Sequence, residues 1–202
     1  MLKDTDEILY GLKTMNKTYW LDLWADNEYV KLKENNFKIL DKFLKDPPKN
    51  ILDIGCGLAF ESERFQKKYN TDLWLLDSDT SYTENRPRST GIGEVDTFRF
   101  YNTLDNLKKS YNERNLQYTF VDANKIDIDE NVKFDVIYSI LSCGFHYPAI
   151  TYKNLINKHS HENTKVILDI RKKSWPVQKN DFKTFDIIHT GLKHYTCQIT
   201  FK

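Results

Sequence analysis

This sequence lacks long apolar runs and has almost no net charge, and both absences narrow the class of protein. No segment of its 202 residues approaches the ~20 consecutive apolar residues of a membrane helix, and the first residues lack the apolar core of a signal peptide. Its 30 Lys and Arg nearly balance its 29 Asp and Glu, for a formal net charge of +1. A broad basic surface for phosphate backbones is therefore absent. We expect a soluble protein that acts on a small molecule, with nucleic acid and membrane disfavoured as partners.

Cysteine is also scarce, which bears on the compartment and on metal binding. Cys56, Cys143 and Cys197 are too few and too far apart for a disulfide framework or a thiolate metal cluster. We therefore expect a reducing, cytoplasmic setting. His159 and His161 have no further metal ligands near them in sequence, so the pattern predicts no metal site and places both at the solvated end of a helix. The length predicts one domain.

The stretch NILDIGCGLAF, from Asn50 to Phe60, has the pattern of a buried strand, a tight turn and a helix. The residues from Ile51 to Ile54 are apolar except for one acid, as in a strand buried on both faces. Gly55 and Gly57 permit a tight turn and a close approach of a ligand to the backbone. The helix predicted from about Phe60 to Tyr69 would direct its first N–H groups at that ligand.

Two departures from the dinucleotide fingerprint argue against NAD. The third glycine is missing, and Asp53 lies inside the strand. The LDIGCG stretch instead resembles motif I of the class I S-adenosylmethionine-dependent methyltransferases, an acid followed by Gly-x-Gly at the end of the first strand. The alternative is a turn without ligand, but an unpaired carboxylate in a buried strand costs several kcal/mol. The resemblance implies that Asp53 supports the turn and the methionine end of the cofactor.

The resemblance also implies a fold and a cofactor. The fold is an α/β, Rossmann-like, doubly wound sheet of seven mostly parallel strands, with an antiparallel last strand and helices on both faces. The methyl donor is S-adenosyl-L-methionine, and the product is S-adenosyl-L-homocysteine.

Acids follow the next two predicted strands. The strand Asp72–Leu76 ends at Asp77, near the ~20-residue distance at which an acid meets a ribose in nucleotide-binding folds, although a solvated carboxylate is the alternative. The resemblance implies that Asp77 binds both ribose hydroxyls. A third strand, from Tyr118 to Val121, ends at Asp122, which the resemblance assigns to the adenine amino group, with the backbone N–H of Ala123 on a ring nitrogen. The resemblance places three more residues beside the cofactor: Cys56, Ser78 and Ser139.

Residues 139–148 (SILSCGFHYP) follow a fourth predicted strand, at the place where the methyltransferase family positions the acceptor. They lack the Asn/Asp-Pro-Pro-Tyr/Phe motif of the enzymes that methylate amino groups of bases, which argues against such acceptors. A hydroxyl acceptor must lose a proton, and a histidine with a pKa near ~6.5 can take it, for a gain of about 10²–10⁴-fold. His146 is therefore the candidate general base, with a surface histidine as the alternative. Tyr147 and Ser142 are candidates for orienting the acceptor, and Cys143 is expected to be a packing residue.

The remaining segments complete the predicted domain, residues 1–202. We expect residues 1–49 to form a helical extension that covers the cleft, with a helix from about Asn27 to Lys45, and plain packing against the core is the alternative for residues 1 to about 26. A long polar loop, 78–96, precedes a helix from about Thr97 to Asn112. In this loop three side chains could bind an anionic or sugar-like group or could be solvated: Tyr82, Arg86 and Arg88. A fifth strand, Lys165–Ile170, and a hairpin of Phe185–Ile188 and His194–Phe201 end the domain.

These observations predict a methyltransferase that acts on a hydroxyl of a small molecule. The FHYP stretch is also similar to that of sugar O-methyltransferases. Two alternatives stay open: a nucleic-acid or protein methyltransferase, and a non-catalytic partner or regulatory module that binds S-adenosylmethionine. The oligomeric state is not predicted.

Overall fold

The computed structural model describes residues 27–78 and 104–202, with side chains from residue 30 onward. Seven strands form one sheet in the order β3-β2-β1-β4-β5-β7-β6. The strands are β1 (Asn50–Ile54), β2 (Asp72–Asp77), β3 (Tyr118–Asp122), β4 (Phe134–Ser139), β5 (Ser160–Arg171), β6 (Phe182–Thr190) and β7 (His194–Phe201).

Strands β1 to β5 are parallel to one another, so their carboxyl ends share one edge of the sheet. Strand β7 is antiparallel to both β5 and β6, which leaves β6 in the direction of β1–β5. The predicted mostly parallel sheet with an antiparallel last strand is confirmed. The register pairs Asp77 with Asp122, and the two acids therefore meet at the edge where β1 ends.

Helices cover both faces of the sheet. They are α1 (Asn27–Phe43), α2 (Phe60–Tyr69), α3 (Leu104–Glu113), α4 (Lys153–His159) and the single turn α5 (Trp175–Gln178). Successive residues of β1 point to opposite faces: Ile51 packs in the cluster that holds Phe65 of α2, whereas Leu52 packs in the cluster that holds Ile156 of α4. Because both faces of the sheet pack against apolar layers, the sequences of the central strands are nearly continuous apolar runs.

Most element boundaries agree with the sequence pattern. Helix α1 ends at Phe43, two residues before the predicted end. Helix α3 is described from Leu104, and the earlier part of the predicted helix lies outside the described residues. Strand β5 begins at Ser160, well before the predicted start.

The longer β5 corrects the prediction for two histidines. His159 is buried, with Nδ1 2.8 Å from the backbone oxygen of Val132, and His161 lies within β5, with Nε2 3.3 Å from Oδ1 of Asp135. The prediction of a solvated helix end is therefore wrong. Both side chains secure the amino-terminal edge of the sheet, away from the strand carboxyl ends.

Helix α1 packs along α2. The rings of Phe37 and Phe65 meet edge to face at 4.9 Å, and Lys33 Nζ lies 3.0 Å from Oε1 of the buried Glu61. Residues 1–26 of the predicted N-terminal extension lie outside the described residues. Among residues 27–78 and 104–202, no helix is long and apolar enough to cross a membrane.

Candidate functional site

The turn after β1, residues 55–59, is folded back onto β2. The N–H groups of Gly55 and Cys56 both donate to the backbone oxygen of Leu76, at 2.7 and 3.1 Å. The N–H of Gly57 donates to Oδ2 of Asp77 at 2.7 Å. The predicted glycine turn therefore lies directly against the predicted ribose acid.

The two glycines of the turn have different surroundings. Both have a positive φ, +72° at Gly55 and +49° at Gly57, which glycine adopts without strain. A Cβ on Gly55 would lie 1.9 Å from Oγ of Ser142. Among the described residues, no heavy atom lies within 4 Å of a Cβ on Gly57. Gly55 thus allows close packing against the loop after β4, and open space adjoins Gly57.

Asp53 lies beneath the turn. Its Oδ2 accepts hydrogen bonds from the hydroxyls of Ser62 at 2.8 Å and Tyr138 at 2.9 Å. Burial raises the pKa of the Asp53 carboxyl to about 7, and the neighbouring Glu61 charge adds to the rise. The carboxyl therefore ties β1 to α2 and β4, which agrees with the predicted support of the turn.

Asp77 ends β2 beside the open space at Gly57. Its Oδ1 accepts the N–H of Ser78 at 2.8 Å, and its Oδ2 accepts the N–H of Gly57. Burial raises the pKa of the Asp77 carboxyl to about 6, although both backbone hydrogen bonds oppose the rise. A carboxylate has about four lone-pair sites, so Asp77 retains capacity to accept hydroxyl donors.

Asp122 is connected to Asp77 through Ser78 and the backbone. Oδ1 of Asp122 accepts the N–H of Asn124 at 2.9 Å and the hydroxyl of Ser78 at 3.2 Å. The N–H of Ala123 donates to the backbone oxygen of Asp77 at 2.9 Å. That bond occupies the amide assigned to an adenine ring nitrogen, so a base bound here needs another donor.

Two other predicted cofactor residues support the turn from below. The hydroxyl of Ser139, which is fully buried, donates to the backbone oxygen of Ile54 at 2.7 Å and accepts the N–H of Cys143 at 2.8 Å. The thiol of Cys56 is buried 3.4 Å from the hydroxyl of Tyr111. Burial raises the pKa of both thiols, Cys56 and Cys143, which agrees with Cys143 as a packing residue.

The loop after β4, residues 139–148, brings two of the predicted acceptor residues to the turn. The hydroxyls of Ser142 and Tyr147 lie 2.9 Å apart, and the Tyr147 hydroxyl would be 3.6 Å from a Cβ on Gly55. His146 is half-buried in the same loop, with its ring edge-on to Phe145 at 5.0 Å. The structure therefore brings together the predicted donor side and the predicted acceptor side at Gly55.

Residues that the sequence analysis missed hold this loop in place. Gln178 of α5 donates from Nε2 to the backbone oxygen of Gly144 at 2.8 Å and accepts the N–H of Ala149 at 2.8 Å. Arg171 donates from Nε to the backbone oxygen of Phe145 at 3.1 Å. All these partners are distant in sequence, so no local pattern could have identified them.

Asp169, near the end of β5, is a further buried acid that was missed. Its Oδ2 accepts the N–H of Leu141 at 3.2 Å, and its Oδ1 accepts the hydroxyl of Thr196 at 2.6 Å. Burial raises the pKa of its carboxyl, and the charge of His194, whose Nε2 lies 3.7 Å from Oδ2, opposes the rise. Its position in an apolar strand is the signal that could have identified it, as it did for Asp53.

The predicted acceptor contacts Tyr82, Arg86 and Arg88 lie outside the described residues. Among residues 27–78 and 104–202, no group of three or more His, Cys, Asp or Glu side chains is placed to hold a metal ion. The three cysteines are buried free thiols.

No protein-family model and no curated protein matches this sequence. Solved structures do match it. The PH0226 protein from Pyrococcus horikoshii is 15% identical, with 88% of this chain and 92% of that chain covered and a TM-score of 0.57. A methyltransferase from Pyrococcus furiosus is 15% identical, with 83% and 81% covered and a TM-score of 0.54. A ribosomal protein L11 methylase from Lactobacillus delbrueckii subsp. bulgaricus is 14% identical, with 88% and 81% covered and a TM-score of 0.51. At these identities, the similarity establishes the fold alone.

Proposed function

We propose that this protein, which has the class I methyltransferase fold, binds S-adenosylmethionine and transfers its methyl group to a hydroxyl of a small molecule. The observation that carries the proposal is the arrangement of three acids, Asp53, Asp77 and Asp122, at the ends of three adjacent strands around one glycine turn. The open space beside Gly57 lies next to the Asp77 carboxylate.

The donor set fits this cofactor. Asp77 accepts hydroxyl donors from the ribose, since Gly57 and Ser78 already orient its oxygens. Asp122 accepts the amino group of the adenine, and Asp53 keeps the turn in place from below. The cofactor supplies an electrophilic methyl group on a sulfonium, and the residues of the chain hold its ribose, its base and the turn.

On the acceptor side, His146 is the proposed general base. When bound, the cofactor would supply the methyl group for the acceptor oxygen, and its sulfur would keep the electron pair of the broken methyl–sulfur bond. The hydroxyl proton passes to the imidazole of His146. Ser142 and Tyr147, whose hydroxyls lie together beside Gly55, orient the acceptor. Arg86 and Arg88 are proposed to bind an anionic or sugar-like part of it.

Calorimetric titration of the purified protein with S-adenosylmethionine and S-adenosylhomocysteine tests the cofactor. We expect micromolar binding of both and no binding of NAD, which serves as the matched nucleotide control. Binding of NAD alone, or of none of the three, would refute the proposal.

Asp77→Asn tests the ribose contact. A charge-assisted hydrogen bond is worth about 1.5–3 kcal/mol, so we expect S-adenosylhomocysteine to bind roughly ten- to a hundredfold more weakly. The control is Asp129→Asn, in the exposed turn before β4, where the carboxylate accepts only from Asn131 among the described residues. Equal affinity in wild type and Asp77→Asn would remove the ribose assignment.

His146→Gln tests the base once a screen of hydroxylated metabolites has provided an acceptor. We expect a rate loss of about 10²–10⁴-fold with unchanged cofactor affinity. His161→Gln is the control, because His161 lies at the opposite edge of the sheet. A rate that is unchanged in His146→Gln would show that another group takes the proton.

A further inference from the structure

The carbonyl groups of the glycine turn are held by two side chains from the end of α3 and the residue after it. The hydroxyl of Tyr111 donates to the backbone oxygen of Gly57. Nη2 of Arg114 donates to the backbone oxygen of Leu58 at 2.5 Å. We call Tyr111 and Arg114 the brace. Tyr111 is fully buried and the Arg114 side chain is 9% exposed, so water does not compete for these bonds.

Arg114 of the brace is itself held by an ion pair and a hydrogen bond. Nη1 of Arg114 lies 2.6 Å from Oε2 of Glu63, whose side chain is 3% exposed, and Nε donates to the backbone oxygen of Ser110 at 3.1 Å. The charges of Arg114 and Lys67 hold the pKa of Glu63 below its usual range against the opposing effect of burial. Arg114 is therefore anchored to both α2 and α3, and its Nη2, which also donates to Oγ of Ser110 at 3.3 Å, donates to the turn.

Gly57 transmits the effect of Tyr111 to Asp77. Its carbonyl accepts from Tyr111, and its N–H donates to Oδ2 of Asp77. The two groups belong to the two planar peptides on either side of the Gly57 Cα, and only the two backbone torsions of that residue relate them. Glycine restrains these torsions less than any other residue. Without the Tyr111 bond, the direction of the N–H that orients Asp77 is poorly fixed.

We infer that Tyr111 is a positioning residue for cofactor binding: it holds the carbonyl of Gly57 so that the N–H of Gly57 orients the Asp77 carboxylate, while Arg114 fixes the next peptide. The inference rests on the proposed function, in which Asp77 binds the ribose. Tyr111 acts through Gly57 and does not need to touch the cofactor.

The titration of Asp77 reports directly on the hydrogen bond that it accepts from the N–H of Gly57. Titratable groups that face Asp77 are Cys56, Tyr111, Tyr147 and, through Ser78, Asp122. Burial raises the pKa of the Cys56 thiol and of the Tyr111 and Tyr147 phenols, so these three stay neutral around pH 6. The N–H of Gly57 lowers the pKa of Asp77, and its loss must therefore raise the midpoint above the present value of about 6.

The decisive variant is Tyr111→Phe, which removes only the hydroxyl. The matched control is Tyr118→Phe: Tyr118 stacks edge to face on Tyr111 at 5.0 Å, but its hydroxyl donates to Asn112 at 3.3 Å, away from the turn. Carboxyl carbon NMR of the cofactor-free protein follows Asp77, with its signal assigned from Asp77→Asn. Calorimetry measures the affinity for S-adenosylhomocysteine at pH 7.5.

We expect Tyr111→Phe to raise the Asp77 midpoint and to weaken S-adenosylhomocysteine binding by about three- to tenfold, which is the range for one net hydrogen bond. Tyr118→Phe should change neither quantity. A second variant, Arg114→Lys, keeps the charge at Glu63 but loses the planar fork, and it should shift both quantities in the same direction by less.

Three results would overturn the inference. They are an unchanged Asp77 midpoint in Tyr111→Phe, an unchanged affinity for S-adenosylhomocysteine in Tyr111→Phe, and equal losses in Tyr118→Phe. Failure of the wild type to bind S-adenosylhomocysteine would instead refute the proposed function, and the NMR midpoint would still decide whether Tyr111 orients Asp77.

Discussion

The turn of residues 55–59 and the loop of residues 139–148 face each other across the site, and both are held through their backbone carbonyls. Tyr111 and Arg114 donate to carbonyls of the turn. Gln178 and Arg171 donate to carbonyls of the loop. In both regions, irregular backbone is buried, so its polar groups need partners from side chains.

The two regions differ in what lies beneath them. Under and beside the turn are carboxyls whose pKa burial raises, to about 7 at Asp53 and about 6 at Asp77. The loop is held by the neutral amide of Gln178, which bonds Gly144 and Ala149, and by one buried carboxyl, Asp169, which accepts the N–H of Leu141. Changes at the turn should therefore affect binding and its pH dependence, whereas a change at the neutral Gln178 should affect stability alone.

The largest effect is expected where the two regions touch. Gly55→Ala puts a methyl group 1.9 Å from Oγ of Ser142 at a φ of +72°. Left-handed strain of about 1–2 kcal/mol and overpacking of about 1–3 kcal/mol together lower the free energy of unfolding by about 2–5 kcal/mol. Urea denaturation measures this change.

Gly57→Ala is the control for Gly55→Ala, because it adds strain without a contact among the described residues and should cost only about 1–2 kcal/mol. The double variant Gly55→Ala with Ser142→Gly should recover the overpacking part. Equal losses at the two glycines would show that Ser142 does not hold the two regions together.

Gln178→Leu should separate stability from binding. It removes the acceptor of the buried N–H of Ala149, at about 1–3 kcal/mol, whereas the carbonyl of Gly144 keeps its bond from the N–H of Arg171 at 3.2 Å. We expect the free energy of unfolding to fall by about 1–3 kcal/mol, while the affinity for S-adenosylhomocysteine stays within about twofold. Asn180→Ala, which removes an exposed bond to Pro176, should cost less than about 0.5 kcal/mol. If Gln178→Leu also lost affinity for S-adenosylhomocysteine, the prediction that this change affects stability and not binding would be wrong.

Asp53→Asn should reveal the pH dependence of the turn. The folded pKa of Asp53, about 7, exceeds the ordinary value of 3.8, so the folded state binds the extra proton between these values. Its contribution to stability is therefore full below about pH 4 and is lost as the pH rises toward 7. The amide that replaces the carboxyl has no proton to lose, and we expect the variant to be more stable than wild type at pH 8 by about 1–3 kcal/mol.

Urea denaturation at pH 4, 6 and 8 provides the measurement for Asp53→Asn, with Asp135→Asn at the opposite edge of the sheet as the control. The same slope with pH in wild type and Asp53→Asn would assign the dependence to other carboxyls.

The smallest effect concerns Ala59, which precedes α2 with a φ of +52°. Ala59→Gly relieves about 1–2 kcal/mol of left-handed strain. It also removes one buried methyl group, whose burial contributes about 0.8 kcal/mol to stability. Thermal unfolding should show a net stabilisation of less than about 1 kcal/mol. Asn70→Gly is the comparison, since Asn70 has a φ of +56° but asparagine tolerates that conformation. A destabilised Ala59→Gly would mean that the methyl contact outweighs the strain.

The sequence predicted the parallel sheet and the donor side of the site because both depend on local patterns. The apolar strand around Asp53, the glycines after it and the acids at Asp77 and Asp122 are visible within short segments.

The side chains that hold the turn and the loop in place could not be predicted from local patterns. The spacing of apolar residues along a helix carries no information about where the hydroxyl of Tyr111 finds a partner. Arg114 and Gln178 contact residues 56 and 34 positions away in the sequence. His161 was assigned to a helix end because no periodicity marks the start of β5, whose first residues are only partly buried.

The position of β7 between β5 and β6 has a consequence for how the chain is made. As the ribosome releases the chain from its N-terminus, β6 emerges before the strand that will separate it from β5, so it has no neighbour until residues 194–201 follow. Until then the edge of β5, with its unpaired backbone groups, is open to other chains. A nascent chain that has emerged only as far as Gly191 is therefore the species most exposed to misassembly, and the emergence of β7 covers the edge of β5.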